Sequence, residues 1–275
     1  MKKMLTDMHT HTHYSHDGRN TAREMLEAAQ RQGMAFYGVS DHFDYDYNVS
    51  LMSEEVYKAT RNSDPEEYFH GMRHLQEDYE GVMNVIVGAE FAYSDDENAK
   101  GRYAATYEKY RPDFVLNSVH SIGGMDFAYA KMEGTKQEVY GKYLGLIRRS
   151  LDAPYPYDIV GHIGYAARYV DYADRSFSLE EFGEQIDDIL KTIIQKDKIL
   201  EVNSASKMEE QATLPAWNIV ERYFALGGRK VSFGSDAHFV ARIGDKREEV
   251  VENLKRIGFT YITVPFRGEH IKVEL

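Results

Sequence analysis

Cysteine is absent from all 275 residues. That excludes a disulfide framework and a thiolate metal site, so any metal this chain binds is held by imidazole and carboxylate; the absence is also compatible with a cytoplasmic protein. Proline is scarce, with 6 residues spread along the chain, and no Pro/Gly/Ser-rich linker, fixed-period repeat or low-complexity tract divides it. One domain over 1–275 is expected, a length that suits a barrel closing around one core. No apolar run approaches the roughly 18 residues of a membrane span. The opening "MKKMLTDMH" turns polar too soon for a signal peptide, so a soluble, unexported, cytoplasmic chain is expected. Positive charge is in deficit: 33 Lys+Arg stand against 45 Asp+Glu, for a net charge of −12. Such a balance disfavours extended nucleic-acid binding but leaves room for a local site that takes one phosphate. Also missing are G-x-x-x-x-G-K-[ST], G-x-S-x-G and zinc-finger cysteine patterns, which removes the usual support for nucleoside-triphosphate and acyl-enzyme chemistry.

What is present is ordinary globular composition, 43% hydrophobic and 28% charged, with a distinct pattern of short apolar runs. "MLTDMHTH", "AFYGVSDH", "VIVGAEF", "FVLNSVH", "DIVGHIG", "ILEVNSAS" and "KVSFGSDAH" each read as a strand. Between them lie segments with helical spacing: one starts near Asn20 or Thr21 and stops at Gly33, and others cover 66–80, 136–150, 179–196, 214–226 and 246–257. Strand and helix in alternation imply parallel strands with crossover helices, and a TIM-like α/β barrel explains the pattern better than an open sheet. In such a barrel the chemical groups gather at the C-terminal strand ends, where each run above delivers its polar cluster. "YITVPF" near the end is an eighth strand or an edge, and 43–65 reads as a long loop over the site, with or without a short helix.

The polar clusters carry metal-ligand chemistry. Between Thr6 and Arg19 fall His9, His11, His13 and His16 with Asp7 and Asp17. In a strand, side chains two apart share a side, so His9 and His11 present two imidazoles together with Asp7 behind them. "SDH" supplies His42, with Asp41 placed to orient an imidazole. "GAE" gives Glu90, "NSVH" His120, "GHIG" His162, and "GSDAH" gives Asp236 and His238, again two apart. Any one of these is more often a satisfied polar residue than a ligand; their joint placement at strand ends is what points to metal. Imidazole and carboxylate without sulfur suit Zn²⁺, Mn²⁺ or Fe²⁺. Nine candidates, His9, His11, Asp17, His42, Glu90, His120, His162, Asp236 and His238, exceed the needs of one ion and suit two or three, with Glu90 as a bridge. Clustered divalent ions fit phosphate-ester hydrolysis: they lower the pKa of a bridging water, hold phosphoryl oxygens and neutralise the leaving oxygen. His70 and His74 share a helical face, but Gly71 occupies the place of a zinc protease's base, so that motif is rejected. His13 and His270 read as solvated, and His16 competes with Asp17 for a ligand role.

"DMHTHTHYSHDG", "SDH", "GAE", "SVH", "GHIG" and "SDAH", in that order and at these intervals, resemble the polymerase and histidinol phosphatase family across nearly the whole chain, from Asp7 to His238. The resemblance implies a distorted seven-stranded (β/α)7 barrel and a three-metal site, with zinc first among the candidate ions and manganese or iron as alternatives. By motif, His9, His11, Glu90 and Asp236 would hold the first ion, Glu90, His120 and His162 the second, and Asp17, His42 and His238 the third. Many relatives carry histidine where this chain has Asp17.

The length, the stand-alone barrel and "GHIGYAARY" resemble the histidinol-phosphate phosphatase branch of histidine biosynthesis. That branch implies hydrolysis of the phosphate monoester L-histidinol phosphate by a hydroxide between the first two metals, with the third metal on a non-bridging oxygen. Arg168 is then a phosphate clamp or else a surface arginine on a helix, and Lys207 a second phosphate contact or else a solvated loop lysine. Asp17 or a nearby histidine such as His42 would serve the leaving oxygen's proton. Tyr155, Tyr157, Tyr165, Tyr169 and the Asp44/Asp46 loop offer aromatic and acidic surroundings to the substrate's ammonium and imidazole. The rival readings are a broader phosphoesterase of the same family acting on nucleotides, oligonucleotide ends or phosphotyrosine, a non-catalytic metal-binding module, and a metal-dependent amidohydrolase.

Overall fold

The computed structural model describes residues 5–45, 63–209 and 211–275. Most of the loop expected over 43–65, Asp46 included, lies outside them. All the apolar runs form strands. These are β1 (Leu5–Asp7), β2 (Met34–Val39), β3 (His42–Phe43), β4 (Asn84–Val87), β5 (Ala89–Ala92), β6 (Val115–Ser118), two short strands β7 (Ser121–Ile122) and β8 (Met125–Asp126), then β9 (Ile159–Val160), β10 (Ile199–Asn203) and β11 (Val231–Gly234). The helices are α1 (Ala22–Gln32), α2 (Pro65–Asp78), α3 (Glu97–Tyr110), α4 (Lys136–Ser150), α5 (Leu179–Gln195), α6 (Trp217–Ala225) and α7 (Arg247–Ile257).

Local chemistry fixes the helix ends. Thr21 caps α1 in a reciprocal capping box with Glu24, and Gly33 closes it in the left-handed conformation at φ 79°, which glycine adopts without a Cβ clash. Sequence reading missed α3. Asp96 caps it, but only Ala99, Tyr103 and Thr106 are buried along its length, a stripe too narrow to show as a helical period.

The sheets are parallel, in the orders β1-β2-β4 and β11-β10-β9-β6-β5-β3. This is a mixed α/β fold, but the assigned strands do not make one continuous ring. β2 and β3 are separated at Ser40 and Asp41, and β4 and β5 at Gly88. Backbone bonds cross these breaks, Gly88 N to Val39 O at 2.8 Å and Glu90 N to Asp41 O at 3.1 Å. At the far edge, Met8 N reaches Phe233 O at 2.9 Å and Asp236 N reaches His9 O at 2.8 Å.

"YITVPF" resolves as β12 (Tyr261–Phe266), which pairs antiparallel with β13 (Glu269–Glu274) in a hairpin of its own. Val264 and Val273 of this hairpin pack on Met8, Phe36, Ile86, Phe114, Leu116, Ile159 and Ile199, residues contributed by or flanking six of the parallel strands. The hairpin is therefore a cover for these strands and not an eighth member. Among the described residues no helix is long and apolar enough to cross a membrane.

Candidate metal centre

Parallel pairing sets the site. His42 of β3 sits opposite Glu90 of β5, which continues in register to Leu116 of β6. The remaining candidates follow the C-terminal ends of β1, β6, β9 and β11, so side chains far apart in sequence meet at one end of the strands. His9, His11 and Glu90 are fully buried, and His120 and His162 nearly so.

Three groups of donors emerge from the distances. In the first, His9 Nε2 lies 3.0 Å from His11 Nε2, 3.3 Å from Glu90 Oε2 and 3.6 Å from Asp236 Oδ1, while His11 Nε2 lies 3.3 Å from Asp236 Oδ1. In the second, Glu90 Oε1 is 2.9 Å from His162 Nε2 and 3.2 Å from His120 Nε2, and the two imidazole nitrogens are 3.3 Å apart. In the third, Asp17 Oδ2 is 2.9 Å from His238 Nε2, and its other oxygen is 3.8 Å from His42 Nε2. All nine candidate ligands are in this assembly. Close groupings of potential ligands also cut across these sets: His11 with His42 and His238, His9 with His162 and Asp236, and His42 with Glu90 and His120.

Several observations fit divalent cations. Ligands about 2.1 Å from a tetrahedral ion stand about 3.4 Å from one another, and the donors of the first two groups are spaced 2.9–3.6 Å. Four imidazoles are tethered at Nδ1: His9 to Glu201 Oε1 at 2.6 Å, His11 to Ser15 Oγ at 3.2 Å, His120 to Asp44 Oδ1 at 2.8 Å and His238 to the Asp236 carbonyl at 2.9 Å. Each tether leaves Nε2 free to face the other ligands, the arrangement metal-bound histidines show. Finally, Glu90 Oε2 and His238 Nε2 are buried and each meets an oppositely charged group at 2.9 Å, His42 Nδ1 and Asp17 Oδ2, without hydrogen-bond geometry, a close approach that a cation between the groups would satisfy.

The electrostatics agree. Burial pulls His9, His42 and His120 towards neutrality, but nearby carboxylates outweigh it and raise all three, His42 to about 10 with Glu90 and Asp44 as its partners. Burial together with the neighbouring His238 and His42 holds His11 well below its ordinary value. Burial would raise Glu90 and Asp236, yet the surrounding imidazoles, with Arg168 at Asp236, keep both carboxyls well below the usual range. Asp17 is also lowered: burial opposes this, but the close approach of the His238 imidazole and the charge of His42 prevail. The cluster thus balances charges that divalent ions can replace.

Some sequence expectations need correction. Asp236 has a left-handed backbone, φ 53°, which bends the chain after β11, so Asp236 faces His9 and His11 while His238 turns to Asp17. Among the described residues Asp41 bonds to Thr12 and Ser15 and not to an imidazole; it accepts from Thr12 N at 2.7 Å and Ser15 Oγ at 2.5 Å, holding the loop that brings Ser15 to His11. Asp44 is buried against His120, so its carboxylate orients that imidazole instead of lining the cavity. His16 contacts Tyr129 Oη at 3.1 Å, leaving Asp17 to meet His238. Tyr155 and Tyr157 lie in the core, bonded to Asn117 and to the Leu151 carbonyl. Sequence reasoning passed over Glu201, although a carboxylate inside the apolar run "ILEVN" was a visible signal.

A cavity of about 640 Å³ opens over these groups, lined by Asp17, His42, His120, His162, Asp236 and His238 and by five cations, Arg19, Arg168, Lys207, Arg242 and Lys246. Arg168 ends the short 3₁₀ turn Tyr165–Arg168 and is a buried residue, not a surface arginine. Its Nη2 lies 3.0 Å from Asp236 Oδ2 and 3.1 Å from Asn203 Oδ1, while its Nε has no hydrogen-bond partner. Lys207 is exposed on the cavity wall and donates to Tyr169 Oη at 2.9 Å. A locally cationic, concave surface on a chain of net charge −12 suits a small anion.

The family model described as PHP domain matches residues 7–205. A probable histidinol-phosphatase of Clostridium acetobutylicum is 28% identical over 244 residues, covering 88% of this chain and 89% of the relative. A histidinol-phosphatase of Lactococcus lactis is 26% identical over 270 residues, covering 94% and 93%. Among solved structures, the histidinol phosphate phosphatase of Lactococcus lactis, complexed with zinc, L-histidinol and phosphate, superposes with a TM-score of 0.82 at 24% identity, covering 97% of this chain and 98% of that one.

Proposed function

The chain belongs to the PHP domain family, and from that premise we propose that it is a metal-dependent phosphatase converting L-histidinol phosphate to L-histidinol and inorganic phosphate. The observation that carries the reading is the convergence of nine ligand-type side chains beneath a cationic cavity. The names of the relatives that match over most of their length, and the zinc, histidinol and phosphate bound by the Lactococcus lactis structure, support the substrate.

We read residues 1–275 as one domain and the parallel strands as a distorted seven-stranded barrel. In this reading β2–β3 and β4–β5 are each one bent strand, and the bonds from Met8 and Asp236 across to β11 and the chain after β1 join the edges. Three ions are proposed, zinc first among them: His9, His11, Glu90 and Asp236 would hold one, Glu90, His120 and His162 the second, and Asp17, His42 and His238 the third. Divalent ions, when bound, polarise phosphoryl oxygens, lower the pKa of water and neutralise the departing oxygen.

The chain's own residues do the rest. The Arg168 guanidinium, steadied at Nη2 by Asp236 and Asn203, lines the cavity and brings a fixed positive charge to a phosphoryl oxygen. Lys207 Nζ adds a second positive group from the wall. Asp17 lines the cavity with 40% of its side chain exposed, and because His238 and His42 keep its carboxyl ionised it works as an acceptor that holds a solvent molecule at the cavity, from which the leaving oxygen takes its proton, and not as the proton donor itself. Tyr165, Tyr169 and Glu209 on the wall offer aromatic and acidic contacts to imidazole and ammonium. The reaction belongs to amino-acid biosynthesis, and on that ground we place it in the cytoplasm.

One observation favours a second reading, a broader phosphomonoesterase: the cavity's five cations suit any phosphate and do not select the imidazole. Steady-state kinetics on the purified metal-loaded protein separates the two. Histidinol phosphate should exceed p-nitrophenyl phosphate and nucleoside monophosphates in kcat/KM by orders of magnitude, and similar values for all three would remove the proposed substrate.

A further inference from the structure

Glu201 is fully surrounded yet belongs to none of the three ligand groups. It lies on β10, in register opposite Ser232 of β11, with 1% of its surface exposed. Its two carboxylate oxygens have different partners. Oε1 meets His9 Nδ1 at 2.6 Å and accepts from Asn203 Nδ2 at 3.2 Å. Oε2 accepts the backbone N–H of His162 at 2.5 Å. The space around it is built to keep it there: a Cβ on Gly234 would run into Glu201 Oε1 and into His9 Cβ. His9 is in the first donor group and His162 in the second.

We propose that Glu201 is a positioning residue that clamps ligands of two different metal ions at once, fixing the His9 tautomer through Oε1 and the place of His162 through Oε2. The inference rests on the reading that these imidazoles hold metal. With Nδ1–H donated to the carboxylate, His9 presents an unprotonated Nε2 to the first group. With its main-chain N–H anchored, His162 turns Nε2 to Glu90 in the second. Only a carboxylate satisfies both, because both partners are donors. In Glu201→Gln the single remaining oxygen can accept from His9 or from His162, and the amide NH₂ then faces the other donor. One ligand or the other is released from its place although volume is conserved.

The test is metal retention measured apart from turnover. Wild type, E201Q and E201D, each loaded with zinc, are titrated against a chromophoric chelator, and the unfolding of the chelator-stripped proteins is followed by circular dichroism. E201Q should release the ions of the first two groups with an affinity loss of about 10–100-fold, the range for losing an outer partner of a metal-bound histidine. E201D, which keeps the charge on a shorter stem, should fall between E201Q and wild type. Stripped E201Q should still unfold cooperatively, and in the loaded protein excess zinc should restore kcat with little change in KM. E201Q that holds zinc as tightly as wild type overturns the inference, as does E201D that is no better than E201Q. If E201Q does not fold, E201D decides: retention equal to wild type overturns the proposal and weaker retention supports it. Wild-type protein that binds no zinc would instead overturn the metal-dependent function, so the two failures are distinct.

Discussion

Glu90→Gln perturbs the one side chain shared by two donor groups. Its Oε1 lies 2.6 Å from Ser118 Oγ, 2.9 Å from His162 Nε2 and 3.2 Å from His120 Nε2, and its Oε2 lies 3.3 Å from His9 Nε2 and 2.9 Å from His42 Nδ1. The substitution keeps volume, removes a fully buried charge and turns one oxygen into an NH₂ that faces imidazole nitrogens however it is oriented. Losing a charge-assisted contact costs about 1.5–3 kcal/mol. Applied once in each of the two groups that share Glu90, this comes to about 3–6 kcal/mol, or roughly two to four decades of metal affinity at 1.36 kcal/mol per decade. Elemental analysis after desalting should find metal lost from the variant, and kcat/KM on histidinol phosphate should fall by at least a hundredfold. A variant with wild-type metal content and kcat/KM within threefold of wild type would refute the bridging role.

Four further outcomes are expected. Arg168→Lys replaces a planar fork with a point charge, so KM should rise roughly 10–100-fold with metal content unchanged; an unchanged KM removes Arg168 from phosphate binding. Chelation should lower Tm, and zinc at 100 times its Kd should return about 2.7 kcal/mol per site; a Tm indifferent to chelator contradicts a folded-state metal site. Because carboxylates raise His9, His42 and His120 in the metal-free protein, an ion must displace protons there. Zinc affinity should therefore fall as pH falls, about tenfold per pH unit for each proton displaced, and isothermal titration at several pH values reads this directly. Burial raises Asp7 from 3.8 to about 6, although Ser235, Gly244 and His9 donate to it. The folded chain thus binds the extra proton between these values, so this contribution to stability is fully present below pH 3.8 and is lost as pH rises through about 6. Two pH units at 1.36 kcal/mol is about 3 kcal/mol. Urea unfolding of stripped wild type and D7N should show their difference shifting by that amount between pH 4 and 7, and a constant difference would count against a raised Asp7.

Much of the candidate site was legible because the residues that meet there share one local rule, an ionisable residue at the C-terminal edge of an apolar run. His42, Glu90, His120 and His162 all obey it, and parallel pairing carries them to the same end of the sheets. The rule also has blind spots. α3 buries too thin a stripe to show periodicity. Glu201 lies inside its run and not at the edge, where a strand period gives it no special status. Asp44 was assigned to substrate because acidity is visible in a sequence while burial is not. The β12–β13 hairpin could not be told from an eighth strand, since both need the same alternating apolar residues.

The sequence by itself determined most of the strand-and-helix order and the chemical type of the candidate ligands, since both depend on neighbours a few positions apart. Tertiary structure alone decided which carboxylate steadies which imidazole. His9 and Glu201 are separated by 192 positions and stand 2.6 Å apart, Asp44 and His120 by 76 positions and 2.8 Å, and no local pattern encodes such pairs. They exist because the hydrogen-bonding needs of buried polar groups are met across the packed sheets, wherever the fold brings a donor and an acceptor together.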